Sequence, residues 1–168
     1  LCPCRIIGIT GSDGKTTTTT LISKILEAAG YRVFVGGNIG RPLLPELGNM
    51  TENDYAVVEL SSFQLHTMTL SPDIAVVTNI SPNHLNYHKG MEEYVAAKEN
   101  IFTHMRPGGR LVLNAENDYT RDMANRAAEG TDLLFFGKDG DICERDGYIT
   151  SGGKRILRCS DILLPGHH

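Results

Sequence analysis

The chain lacks a long apolar run, a long basic run and a charged-then-apolar leader, and each absence removes a class of function. No segment of its 168 residues approaches the roughly 20 apolar residues that a membrane-spanning helix needs. Sixteen Lys and Arg stand against 20 Asp and Glu, for a formal net charge of −4, so a nucleic-acid surface is not expected. Cysteine is scarce, with Cys2, Cys4, Cys143 and Cys159 alone. Cys2-Pro3-Cys4 is too tight for a zinc knuckle and no C-x-x-C accompanies it, which leaves free buried thiols as the expectation. No G-x-G-x-x-G follows the first strand and no guanine-reading N-K-x-D segment is present, which argues against a dinucleotide oxidoreductase and a GTPase. Repeats and low-complexity tracts are also missing. What remains is one cytoplasmic domain with a hydrophobic fraction of 40% and a substantial core. Leu1 opens straight into a strand approach without an initiating Met, and His167-His168 close the chain as native residues or a tag remnant. The expectation is a piece cut from a longer polypeptide.

The most informative residues present are Gly11-Ser12-Asp13-Gly14-Lys15-Thr16-Thr17. They follow the apolar run Arg5–Thr10 and precede a helical pattern, so they read as strand, glycine loop and helix N-terminus. Backbone N–H groups of such a loop converge on an anion, and the helix dipole adds to the attraction. Lys15 can reach terminal phosphates and the Thr16 hydroxyl can ligate Mg²⁺. The longer P-loop spelling wants Gly where Ile9 stands, so this is the short G-x-x-G-K-T form. The alternative is a glycine-rich turn with a solvated lysine.

Periodicity predicts a helix over about 15–29 with Leu21, Ile22, Ile25, Leu26 and Ala29 on its apolar face and Gly30 at C′. Strands are expected at 32–35, 54–60, 73–79, 111–113 and 132–136. Helices are expected at 43–47, 91–105 and 118–128. Alternation of strand and helix predicts an α/β fold, a doubly wound and mostly parallel sheet of P-loop type. From Gly137 the texture changes. Glycines separate short pieces that read as a small antiparallel β appendage over 138–163.

Four polar segments fall at carboxyl ends of strands, where open parallel sheets bind ligands. They are the glycine loop, Gly36-Gly37-Asn38, Glu59-Leu60-Ser61-Ser62 and the stretch from Asn79 to His84. Glu59 reads either as a surface carboxylate capping Ser61 or Ser62, or as a Mg²⁺ ligand opposite Thr16. His84 is either an ordinary loop histidine or a metal or phosphate contact. Lys98 falls inside the apolar stripe of Met91, Tyr94, Val95, Ile101, Phe102 and Met105. Its amine either snorkels to water, which periodicity alone favours, or is held neutral by burial. A neutral amine can take up CO₂, and the carbamate is an anionic oxygen ligand for a second Mg²⁺.

Together these motifs resemble the central domain of the Mur ligases. The loop Gly8–Thr17 resembles their ATP loop. Glu59-Leu60-Ser61-Ser62-Phe63-Gln64-Leu65 resembles the signature of the D-glutamate-adding branch. Asn79-Ile80-Ser81-Pro82-Asn83-His84-Leu85 and Tyr94-Val95-Ala96-Ala97-Lys98 also resemble that domain. The resemblance implies that the loop 11–17 binds ATP, with Lys15 on the β/γ-phosphates. Thr16 and Glu59 then serve one Mg²⁺, and His84 and carbamylated Lys98 a second, which reverses the snorkelling preference. Asn38, Ser61 and Gln64 would lie near the substrate. The implied reaction joins UDP-N-acetylmuramoyl-L-alanine to D-glutamate through an acyl phosphate, in peptidoglycan precursor synthesis. A folylpolyglutamate synthase-like ligase and a non-ligase nucleotide-binding module are the alternatives. The implied enzyme is a monomer of three domains, with the UDP-binding and amino-acid-binding domains absent here, so the piece is expected to bind ATP weakly and catalyse nothing alone. Two departures stand out. Asn86-Tyr87 replaces the usual Asp-Arg, and Asp13 stands where Asn or another polar residue is frequent.

Overall fold

A computed structural model describes residues 2–82 and 88–163. Among them, nine strands form one sheet in the order β2-β3-β1-β4-β5-β6-β7-β8-β9. Strands β1 (Arg5–Thr10), β2 (Val33–Gly37), β3 (Tyr55–Glu59), β4 (Ile74–Val77), β5 (Arg110–Asn114) and β6 (Asp132–Phe136) are parallel to their neighbours. Helices α1 (Lys15–Ala28), α2 (Ser62–Leu65), α3 (Met91–Thr103) and α4 (Asp118–Met123) supply the connections. Side chains alternate across each strand. Ile7 and Ile9 of β1 join Val57 and Val76 against Ile22 and Leu26 of α1. Gly8 turns the other way, towards Pro72 and Ile101 of α3. On that face Ala75, Val77, Leu111 and Leu113 pack with Tyr94, Ile101 and Phe102. The sheet is therefore covered on both faces, as the apolar strands require.

Helix α1 turns differently from the expected stripe. Its buried line is Thr19, Ser23 and the half-buried Ile22 and Leu26, whereas Leu21 and Ile25 are exposed. Small hydroxyl residues let the helix lie against the sheet, and the Ser23 hydroxyl donates to the Thr19 carbonyl at 2.8 Å, so its burial costs little. The segment expected as a helix at 43–47 is a 3₁₀ helix, Leu44–Asn49. The helix expected to 128 stops at Met123 and tightens into a 3₁₀ turn, Ala124–Arg126. The one-turn α2 was not anticipated.

The expected β appendage is β7 (Ile142–Arg145), β8 (Tyr148–Ser151) and β9 (Lys154–Arg158). It is continuous with the main sheet. β7 meets β6 in parallel through a single register pair, Phe136 with Ile142, and β8 and β9 follow antiparallel. A five-residue link is too short for a crossover helix, so the two parallel strands share only that junction.

All four cysteines are free. Cys4 is buried beside Met50 and Ala56, and burial, with the Cys2 thiol next to it, pushes its pKa up to about 12. At the amino ends of the strands Asp54 ties the segment before β3 to that before β2. Its carboxylate accepts from Arg32 Nε at 3.1 Å, Arg32 Nη2 at 2.6 Å and Thr51 N at 2.6 Å. The Arg32 guanidinium, helped by Thr51, holds Asp54 down at about 2. A depressed carboxylate stabilises the fold fully above its ordinary value of 3.8 and loses that contribution as pH falls towards 2. Asp54→Asn should therefore lower stability at neutral pH and flatten the acid limb of a urea-denaturation series between about pH 4 and pH 2. An unchanged acid limb would refute the assignment.

Candidate functional site

The carboxyl ends of β1, β2, β3 and β4 meet at one rim, and the glycine loop is its centre. Gly11 follows β1 with φ 149°, and Gly14 caps α1 with φ 78° in the left-handed region. Thr78, just past β4, donates through its hydroxyl to the Asp13 carbonyl at 2.6 Å. The Asn79 side chain accepts from Asp13 N at 3.0 Å, and its carbonyl accepts from Ser12 N at 2.9 Å. Ser12 Oγ in turn accepts from Ser81 N at 2.9 Å. The loop is thus held by the segment after β4. Lys15 Nζ folds back onto the Gly11 and Ser12 carbonyls at 3.1 and 2.9 Å. Thr17, the third residue of α1, is exposed.

Glu59, at the end of β3, is 1% exposed. One carboxylate oxygen accepts from the Thr16 hydroxyl at 2.8 Å and the other from Asn38 Nδ2 at 3.0 Å. Asn38 is brought there by Gly37, which pairs in register with Glu59. A Cβ at Gly37 would lie 2.0 Å from the Glu59 carbonyl oxygen, so only glycine allows this approach. The reading of Glu59 as a cap for Ser61 or Ser62 does not hold. Ser61 is the N-cap of α2 in a capping box with Gln64, and Gln64 Oε1 accepts from Ser61 N at 2.9 Å. The oxygens at this point are the Thr16 hydroxyl and the Glu59 carboxylate, which suit Mg²⁺, while the Asn38 amide N–H holds the carboxylate in place.

Lys98 does not snorkel. It is 2% exposed, and its amine donates to the Gly11 carbonyl at 2.8 Å and the Thr10 hydroxyl at 3.3 Å. The Tyr94 ring, one helical turn earlier, lies 4.8 Å from it. Periodicity placed Lys98 correctly on the buried face. It could not reveal that the loop carbonyl waits there to receive the ammonium. Burial first, then the charge of Lys15, lowers the Lys98 pKa to about 7, with Asp13 opposing. His84 and the Asn86-Tyr87 departure lie outside the described residues.

Two residues that were not expected in the site, Tyr94 and His88, complete the rim. The Tyr94 hydroxyl shares a hydrogen bond with Ser12 Oγ at 3.0 Å. Buried His88 bonds Ser62 Oγ through Nε2 at 3.0 Å and stacks on Phe63. The only available signal was position: Tyr94 lies four residues before Lys98, hence on the same helix face. Lys15, Asn38, Ser61, Ser62, Phe63, Tyr94 and Lys98 line a cleft of about 230 Å³. A larger cleft, about 810 Å³, lies at the opposite, amino end of the strands.

The chain matches the family described as the Mur ligase middle domain over residues 9–163. It is 50% identical, over its whole length, to a UDP-N-acetylmuramoylalanine–D-glutamate ligase of Acetivibrio thermocellus. It is 47% identical, over 98% of its length, to the enzyme of that name from Clostridium acetobutylicum. It spans 37% of the length of each. A MurF ligase from Thermotoga maritima, solved in complex with ADP, superimposes with a TM-score of 0.66 at 26% identity, over 90% of this chain and 37% of that one.

The lowered Lys98 pKa has a signed consequence. Between about pH 7 and the ordinary 10.5 the unfolded chain binds a proton that the folded chain does not. Stability therefore rises with pH across that window. Lys98→Met should remove this part of the slope in paired denaturation curves of parent and variant, whereas parallel pH profiles would overturn the assignment.

Proposed function

Because the chain belongs to the Mur ligase middle-domain family, we propose that it is the ATP-binding catalytic domain of a ligase that adds D-glutamate to UDP-N-acetylmuramoyl-L-alanine. The observation that carries this reading is the convergence, on one rim, of Lys15, the Thr16–Glu59–Asn38 linkage and the buried Lys98 amine. In the whole enzyme, a monomer in the cytoplasm, flanking domains hold the uridine nucleotide and the amino acid. The substrate carboxylate attacks the γ-phosphorus of ATP, giving an acyl phosphate and ADP. The amine of D-glutamate then displaces phosphate and forms the amide.

Both steps build negative charge on oxygen, and the protein's part is position and electrostatics. The loop 11–17 cradles the phosphates through the N–H groups of Gly14 to Thr17, those of Ser12 and Asp13 being committed to Asn79. Lys15 exchanges two neutral carbonyls for phosphate oxygens, a stronger charge-assisted contact. Thr16 and Glu59 would hold one Mg²⁺, with Asn38 fixing the carboxylate that does so. When bound, the ion neutralises phosphoryl oxygens in the displacement. Ser61 and Gln64 present the α2 turn to the substrate, with the Gln64 carbonyl already committed to the cap.

Lys98 would serve a second Mg²⁺ with His84, after its neutral amine has taken up CO₂ and released one proton to give a carbamate. A pKa near 7 makes the nucleophilic form abundant at neutral pH. The carbamate anion also relieves the repulsion that Lys15 exerts on an ammonium.

The test is made on the full-length enzyme, following ADP release with both substrates. Lys15→Ala and Glu59→Gln should each lower kcat by roughly 10²–10³-fold, and Glu59→Gln should also raise the Mg²⁺ concentration needed for half-maximal rate. Activity unchanged in both variants, or ADP release that ignores UDP-N-acetylmuramoyl-L-alanine, would refute the proposal. A separate check uses ¹³C-bicarbonate: a carbamate carbonyl resonance should appear in the parent and be lost in Lys98→Met.

A further inference from the structure

Three sulfur atoms meet at the end of the sheet remote from the glycine loop. Cys2 Sγ lies 3.3 Å from Cys4 Sγ. Met50 Sδ lies 3.7 Å from the first and 3.8 Å from the second. The two thiols come from the segment leading into β1. The thioether comes from the residue after the 3₁₀ helix that precedes β3. These distances make a nearly regular triangle, and a point in its plane is about 2.1 Å from every sulfur, slightly inside the about 2.3 Å of a metal–thiolate bond.

We propose that Cys2, Cys4 and Met50 form a three-coordinate site for a soft monovalent d¹⁰ cation, with Cu(I) as the natural representative. Thiolate and thioether together select such an ion over zinc, which takes four nitrogen, sulfur or carboxylate ligands. Among the described residues no third Cys, His, Asp or Glu joins the two cysteines in a metal-binding group, so a tetrahedral zinc site cannot be completed from them. Cys2, Pro3 and Cys4 line the cleft of about 810 Å³, which gives the ion an entry path even though Cys4 and Met50 are themselves buried. Binding forms three metal–sulfur bonds and releases the two thiol protons, leaving a site of net charge −1. No electron changes hands. The ion would clasp the lead-in of β1 to the lead-in of β3 and so stabilise the folded chain by mass action.

The experiment takes the chain fully reduced and anaerobic, and titrates it with Cu(I) held in competition by a chromophoric chelator such as bicinchoninate. One equivalent should bind. Cys2→Ser and Cys4→Ser should each weaken binding by roughly 100-fold or more, and Met50→Leu, which conserves volume, by roughly tenfold. X-ray absorption of the loaded chain should give three sulfur neighbours at about 2.3 Å, and the thermal midpoint should rise on loading. Cys143→Ser/Cys159→Ser, which leaves the proposed ligands intact, should bind like the parent. Binding indifferent to Met50→Leu, a two-sulfur absorption spectrum, or binding lost with Cys143 and Cys159 would each overturn the site. Circular dichroism of every variant without metal separates loss of the site from loss of the fold.

Discussion

Two ammonium groups converge on one carbonyl oxygen. Lys15 and Lys98 donate to the Gly11 carbonyl at 3.1 and 2.8 Å, and most of the chemistry of this rim follows from that crowding. Burial first makes Lys98 yield its proton more readily, and the repulsion of Lys15 across the shared acceptor adds to that. The half-buried Lys15 is held by nothing stronger than loop carbonyls and is free to transfer to an anion. A negative group on the Lys98 nitrogen would turn the repulsion into attraction and bind the two lysines into a single electrostatic unit.

That arrangement is possible because the sheet delivers its strand ends to one place. β1 is central, with β3 on one side and β4 on the other. The segment after β4 secures the loop, the end of β3 supplies Glu59, and the end of β2 supplies Asn38. Helix α3 crosses the opposite face and brings Lys98 up beneath the loop. Glu59 is nearly inaccessible yet has both oxygens engaged, which is the condition under which a buried carboxylate is tolerated.

Much of this was legible in the residues themselves. The glycine loop, the alternation of strand and helix, and the placing of Glu59 and Asn38 at strand ends all follow from local pattern. The change of texture after Gly137 correctly signalled antiparallel strands, but not their continuity with the main sheet, because strand pairing is a non-local property. The orientation of α1 escaped for a related reason. A hydropathy count favours Leu21 and Ile25, whereas the sheet surface selects the narrow side of the helix, where Thr19 and Ser23 fit. Lys98 is the instructive case. Its burial was visible in the stripe, but its partners belong to β1 and the loop, 88 and 87 residues away. His88 carried no motif, and Tyr94, visible only as part of the stripe and motif around Lys98, shows its polar role through the contact with Ser12.

The two glycines that frame the loop are demanding in different ways. At Gly11 a Cβ would stand 1.9 Å from the Thr78 hydroxyl oxygen, so the obstacle is a neighbour already in the space. At Gly14 no atom lies within 4 Å, and only the left-handed backbone, φ 78° and ψ −2°, excludes ordinary side chains. Chirality is therefore the whole barrier at Gly14, whereas at Gly11 a steric obstacle adds to an unfavourable positive φ. A D-alanine introduced by peptide ligation would be accepted at the first residue of the helix cap and would stiffen the turn by narrowing the unfolded ensemble.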